Sequence, residues 1–179
     1  MGFSSDPRAR FNLEQVSILL LEETPLGMSI LVQILNGFGG RKLHKCDSVA
    51  KAESVARETE LDLLIVDAMA SGGGYDFVHW LRNSGIRPNC YAPVLLTAAH
   101  TPAAAVTNAR DCGAHIVMAK PLTPKAVLDR IVWVARTGRR FVESDKFVGP
   151  DRRFKEAGVP EKVGVGRRRE DAVSRKGEG

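Results

Sequence analysis

The feature that most constrains this chain is a short apolar run ending at a polar residue, repeated with enough chain between repeats for a helix. Val16-Ser17-Ile18-Leu19-Leu20-Leu21 stops at Glu22-Glu23, and Leu61-Asp62-Leu63-Leu64-Ile65-Val66 stops at Asp67. Ala92-Pro93-Val94-Leu95-Leu96 stops at Thr97, and His115-Ile116-Val117-Met118 is followed by Lys120-Pro121. Near-continuous apolar runs of this length suit strands buried on both faces of a parallel sheet. Lys42-Leu43-His44-Lys45-Cys46 is a weaker, alternating candidate strand. The intervening segments carry helical signals. Thr24-Pro25 offers an N-cap with proline in the first turn, ahead of Met28, Leu31, Val32, Ile34 and Leu35 at helical spacing. Asp47 or Ser48 caps a helix running to about Thr59, Gly72-Gly73-Gly74 leads into a helix from Tyr75, and Gly113 closes one from Ala103. A last helix runs from Thr123 to about Arg136, with Val127, Ile131 and Val134 facing inward. Strands alternating with helices predict a doubly wound α/β domain with a five-stranded parallel sheet.

A chain of 179 residues has room for one such domain and appendages. The expected division is a flexible leader over 1–13, the α/β domain over 14–138 and a tail over 139–179. Apolar residues at 44% and charged residues at 26% permit a packed core. Cys46, Cys90 and Cys112 show no metal-type spacing and are odd in number, which fits a reducing, cytoplasmic compartment better than a disulfide framework. No apolar stretch reaches the roughly 20 residues of a membrane span, and no signal-peptide run opens the chain.

In open α/β sheets the ligand site lies beyond the carboxyl ends of the strands. Those ends carry Glu22, Glu23, Asp67, Thr97 and Lys120. Acids that can hold a hard cation, an amine and a hydroxyl that can meet phosphoryl oxygens, and a free carboxylate as nucleophile suit phosphoryl transfer to an aspartate. Singly, each residue has a plain structural use as a cap, a backbone hydrogen-bonder or a solvated charge. Five meeting at one sheet edge argue for a site.

On these residues the sequence resembles the CheY-like receiver domain of bacterial response regulators. The match rests on Glu22-Glu23, Leu63-Leu64-Ile65-Val66-Asp67, Leu95-Leu96-Thr97-Ala98 and Lys120-Pro121, and covers about residues 14–138. The resemblance implies a flavodoxin-like strand order of 2-1-3-4-5 and a signalling module rather than an enzyme. Asp67 would accept a phosphoryl group from a histidine kinase or phosphotransfer protein. Glu22, Glu23, Asp67 and the Met69 carbonyl would hold Mg2+. Thr97, Ala98 and Lys120 would receive the phosphoryl group, Val117 would stand at the switch position, and a target protein would dock on the helix 4, strand 5 and helix 5 face. Homodimerisation through that face stays open, with no residue deciding it. A competing aspartyl-phosphate phosphatase is disfavoured, since no second acid follows Asp67 before Asp76 and no substrate-capping insertion is present.

Three departures qualify the resemblance. Glu23 stands where the family usually has aspartate, and its extra methylene predicts weaker binding of an ion that demands ligands at about 2.0–2.1 Å. Met69-Ala70 replaces the family's Met-Pro one residue early, ahead of the glycines, which predicts a shortened, looser loop. Val117 is small and stiff where the family often has an aromatic ring, so a rotating-ring switch is not expected.

The basic character lies in the tail: residues 138–179 carry 12 Lys and Arg against 8 Asp and Glu. Its glycines, prolines and charges, without sustained periodicity, predict disorder. Arg139-Arg140, Arg152-Arg153 and Arg167-Arg168-Arg169 are candidate anion or nucleotide ligands. The placement resembles single-domain receivers whose Arg-rich C-terminal segments bind cyclic di-GMP. It suggests an alternative, a pseudo-receiver adaptor that binds partners or cyclic di-GMP without phosphorylation. Mixed charge makes a merely solvated tail the simpler reading. The segment is too short and poor in apolar residues for a helix-turn-helix output domain, so sequence-specific DNA binding is not expected.

Overall fold

Each apolar run forms a strand, and each strand of the sheet leads into a helix. The computed structural model describes residues 12–99, 103–137, 140–144 and 147–151, with 103–105 described by their backbone alone. In chain order these form β1 (Ser17–Leu21), α1 (Pro25–Gly37), β2 (Lys42–Cys46), α2 (Val49–Glu58) and β3 (Leu63–Asp67). There follow α3 (Gly74–Asn83), a 3₁₀ turn (Asn89–Tyr91), β4 (Val94–Ala98), α4 (Ala103–Asp111), β5 (Ile116–Ala119) and α5 (Pro124–Thr137). The five strands make one parallel sheet in the order β2-β1-β3-β4-β5, as the family resemblance implies.

Because strand side chains alternate between faces, the sheet divides the core in two. Leu19, Leu21, Leu64, Val66, Val94 and Leu96 point into one cluster with Phe77, Val78 and Leu81 of α3. Ile18, Leu20, Leu63, Ile65 and Leu95 point into the other with Leu31 and Leu35 of α1 and Val127, Ile131 and Val134 of α5. Each fully buried aliphatic side chain contributes about 1.5–3 kcal/mol by leaving water. The helix starts carry the expected chemistry. Thr24 Oγ1 accepts from the Gly27 N–H at 3.2 Å, and Pro25 opens α1. Thr123 Oγ1 accepts from the Ala126 N–H at 3.2 Å at the start of α5. Buried Asn89 accepts from the Leu61 N–H at 2.8 Å and donates to the carbonyls of Ala56 and Thr59 at 2.8 and 2.7 Å. That side chain ties the end of α2 to the entry of β3.

The expectation of disorder from residue 139 onward is corrected at its start. β6 (Phe141–Ser144) and β7 (Phe147–Pro150) form an antiparallel hairpin. A lone two-stranded ribbon is marginal in water, so docking must hold this one. The Phe141 ring lies edge-on to Tyr91 at 5.3 Å, beside His115 at 5.6 Å and under the Arg82 guanidinium at 5.1 Å. Arg82, only 3% exposed, donates to the carbonyls of Gly113 at 3.0 Å and Cys90 at 2.8 Å. Gly113 is required here, since a Cβ would stand 2.6 Å from the Val148 carbonyl oxygen. The hairpin sits where β4 and β5 begin, at the end of the sheet opposite Asp67. Arg140 lies among the described residues and its carbonyl accepts from the Asp151 N–H at 2.7 Å. Arg139, Arg152, Arg153, Arg167, Arg168 and Arg169 lie outside the described residues.

Candidate functional site

Parallel pairing brings the polar strand ends to one edge. Asp67 is in register with Thr97, and the Ala68 N–H donates to the Thr97 carbonyl at 2.9 Å, so the carboxylate and the hydroxyl stand at the same level. The Lys120 N–H donates to the carbonyl of buried Ala98 at 2.8 Å, which fixes the root of the lysine.

From that root Lys120 reaches two carboxylates at once. Its Nζ donates to Glu22 Oε2 at 2.6 Å and to Asp67 Oδ2 at 2.9 Å. Glu22 is only 1% exposed, and its other oxygen, Oε1, accepts from the Thr24 N–H at 3.0 Å and the Thr24 hydroxyl at 2.6 Å. Burial alone would push the Glu22 carboxyl up, but the hydrogen bonds from Lys120 and Thr24 outweigh it and hold the group below its ordinary value. For Lys120 burial works downward, and the two carboxylates more than compensate, so the ammonium is held above its ordinary value. The site therefore carries a charged triad of Glu22, Lys120 and Asp67.

The remaining side chains divide into those that meet this triad and those that do not. Asp67 Oδ1 accepts from the Met69 N–H at 3.1 Å, which orients the carboxylate. Thr97 is 1% exposed and its hydroxyl has no partner among the described residues, an orphaned donor on the strand beside Asp67. Glu23 turns elsewhere: Ser71 donates its hydroxyl to Glu23 Oε2 at 2.8 Å and its backbone N–H to Glu23 Oε1. Val117 is buried in the cluster with Leu96 and Ala109, and this position itself carries no ring to swing.

Carboxylate and carbonyl donors suit a hard cation, but their placement does not assemble a site for one. Among the described residues no three Asp, Glu, His or Cys side chains form a group that could hold a metal ion. Glu22 is committed to Lys120 and Thr24, and Glu23 to Ser71.

Two glycines shape the site. A Cβ at Gly74 would fall 1.9 Å from the Asp67 carbonyl oxygen, so the start of α3 can approach Asp67 only as glycine. A Cβ at Gly27 would stand 2.6 Å from Glu22 Cδ, so the first turn of α1 closes over that carboxylate on the same condition. Gly27 and Ser71 were not singled out from the sequence, and Gly74 stood out only as part of the glycine cluster ahead of a helix. The roles of the two glycines depend on close approaches that the turns after β1 and β3 create, and Ser71 lies 48 residues from its partner.

Residues 18–132 match the family model of the response regulator receiver domain. The chain belongs to that family. Solved structures agree on the fold of the receiver. The chemotaxis protein CheY4 of Vibrio cholerae superposes with a TM-score of 0.61 at 19% identity, over 66% of this chain and 98% of that one. The receiver domain of a signal transduction histidine kinase from Syntrophus aciditrophicus gives 0.60 at 24%, over 72% and 96%. The receiver domain of a sensor histidine kinase from Pseudomonas aeruginosa, with a magnesium ion coordinated in its active-site cleft, gives 0.58 at 21%, over 66% and 95%. No curated protein matches the receiver in sequence. No helix among the described residues is long and apolar enough to cross a membrane.

Proposed function

We propose that this receiver is a phosphorylation-controlled signalling protein whose Asp67 takes a phosphoryl group from a histidine kinase or phosphotransfer protein. The carrying observation is the bridge from Lys120 to Asp67 beside the Thr97 hydroxyl, which has no partner among the described residues. An Asp67 carboxylate oxygen attacks phosphorus, a P–O bond forms, the P–N bond to the donor imidazole breaks, and the imidazole leaves with a proton. Lys120 then moves from the carboxylate to a phosphoryl oxygen, and the Thr97 hydroxyl donates to another. Each new contact exists only in the phosphorylated state, which is how a modification biases a two-state surface.

The surface affected is the α4, β5 and α5 face, where a target protein would dock. With Val117 at the switch position, the change is carried by Thr97, Ala98 and the α4 segment rather than by ring rotation. The cofactor consistent with the family is Mg2+, with Glu22, Glu23, Asp67 and the Met69 carbonyl as its candidate ligands. The three free, buried cysteines are consistent with a cytoplasmic setting.

A second reading, a partner-binding adaptor that works without phosphorylation, is favoured by one observation: Glu23 is held by Ser71 instead of facing the acceptor. Fluorine NMR with beryllofluoride, a mimic of the phosphoryl group on a carboxylate, separates the two. A bound resonance, lost in Asp67→Asn and weakened in Lys120→Met and Thr97→Val, is expected of the phosphorylated receiver. Its absence in the wild type would favour the adaptor.

A further inference from the structure

The loop between β3 and α3 carries a contact that the acceptor chemistry does not use. Ser71 gives both of its donors, the backbone N–H and the hydroxyl, to the two oxygens of the Glu23 carboxylate. The loop is folded for it. The Ala70 N–H donates to the Asp67 carbonyl at 3.2 Å and the Gly73 N–H to the Ala70 carbonyl at 2.8 Å, while Gly72 and Gly73 take φ of +90° and +89°, which only glycine adopts readily. This turns Ser71 back toward the end of β1. The glutamate side chain, one methylene longer than aspartate, spans the gap to it.

We infer that Ser71 gates divalent-cation binding at the acceptor: while it holds Glu23, the second acid of the pair is withdrawn from Asp67, and a cation enters only by breaking that clasp. The inference rests on the reading that the acceptor site takes a hard cation, and it explains why acids of the right chemistry do not assemble a ligand set. Both bonds are charge-assisted and their partners lie near solvent, so each is strong enough to bias Glu23 yet open to competition by a divalent ion. Ser71 is thus a positioning residue that sets cation affinity without touching the cation.

Isothermal titration of the full chain with MgCl2 tests this on the wild type, Ser71→Ala, Glu23→Asp and the double variant. Loss of one charge-assisted bond is expected to tighten Mg2+ binding about threefold to tenfold in Ser71→Ala. Glu23→Asp, too short to reach Ser71, is expected to tighten it as well, and adding Ser71→Ala to it should change nothing further. That non-additivity separates a clasp from a general loosening of the loop. Unchanged or weaker affinity in Ser71→Ala, full additivity in the double variant, or no measurable binding in any variant would overturn the gate. Tighter Mg2+ binding without phosphoryl uptake at Asp67 would leave the gate standing and remove the phosphoacceptor reading instead.

Discussion

Replacing Lys120 by methionine keeps the length of the side chain and removes the only ammonium among the described residues bonded to Glu22 and Asp67. A buried ion pair broken from one side costs about 3–5 kcal/mol, because the remaining charge stays buried without compensation. Here the lysine is 28% exposed and Asp67 is 13% exposed, so water screens part of the loss. Glu22 also keeps its two donors from Thr24. The expected cost at pH 7 is therefore about 2–3 kcal/mol, most of it from Glu22.

The pH dependence carries the sharper test. In the wild type the Glu22 carboxyl lies below its ordinary 4.5, so its share of the stability is present above that pH and lost as pH falls through the folded-state value. Lys120 lies above its ordinary 10.5, so its share is present below that pH and lost as pH rises through the folded-state value. In Lys120→Met burial dominates at Glu22 and pushes its carboxyl up, so the variant gains stability as Glu22 takes up a proton on acidification. Urea unfolding followed by circular dichroism should show the gap between wild type and variant narrowing from pH 7 toward pH 4.5. The double variant Glu22→Gln/Lys120→Met should recover most of the loss at pH 7. A gap below about 0.5 kcal/mol, the scale of an exposed pair, or one that neither narrows with acid nor closes in the double variant, would refute a structural role for the pair.

Gly74→Ala forces the Asp67 backbone away from the start of α3, and overpacking of this kind costs about 1–3 kcal/mol, readable in the urea midpoint. It should also abolish phosphoryl uptake at Asp67, measured by mass. Phe141→Ala removes the ring that docks the hairpin on Tyr91, His115 and Arg82; proteolysis is expected to shift to residues 140–151, with Asp67 chemistry kept. Unchanged protection of that segment would show that Phe141 does not hold it.

Most of the sheet was legible because its signal is local. Runs such as Leu63–Val66 are too short for a typical helix and suit strands buried on both faces, and the polar residues that end them mark one edge. Thr24-Pro25 and Gly113 punctuate helices for reasons visible within a few residues. The hairpin was hidden because its signal is not local: Phe141 and Phe147 stand among charges, and the hairpin's contacts, Arg82 and Tyr91 on Phe141 and Gly113 against Val148, lie far back in the chain. Likewise, five polar residues at strand ends pointed to the site, yet the sequence alone left open which acid meets the lysine. Glu22 meets it because the first turn of α1 folds over it at Gly27, whereas Glu23 is drawn to a serine 48 residues away.

The central claim is that Asp67 accepts a phosphoryl group. Intact mass after incubation with acetyl phosphate and Mg2+ measures it directly, with Asp67→Asn and an EDTA-treated sample alongside. A gain of one phosphoryl group is expected in the wild type, reversed by hydroxylamine and absent in Asp67→Asn. No gain in the wild type, or an equal gain in Asp67→Asn, would contradict it.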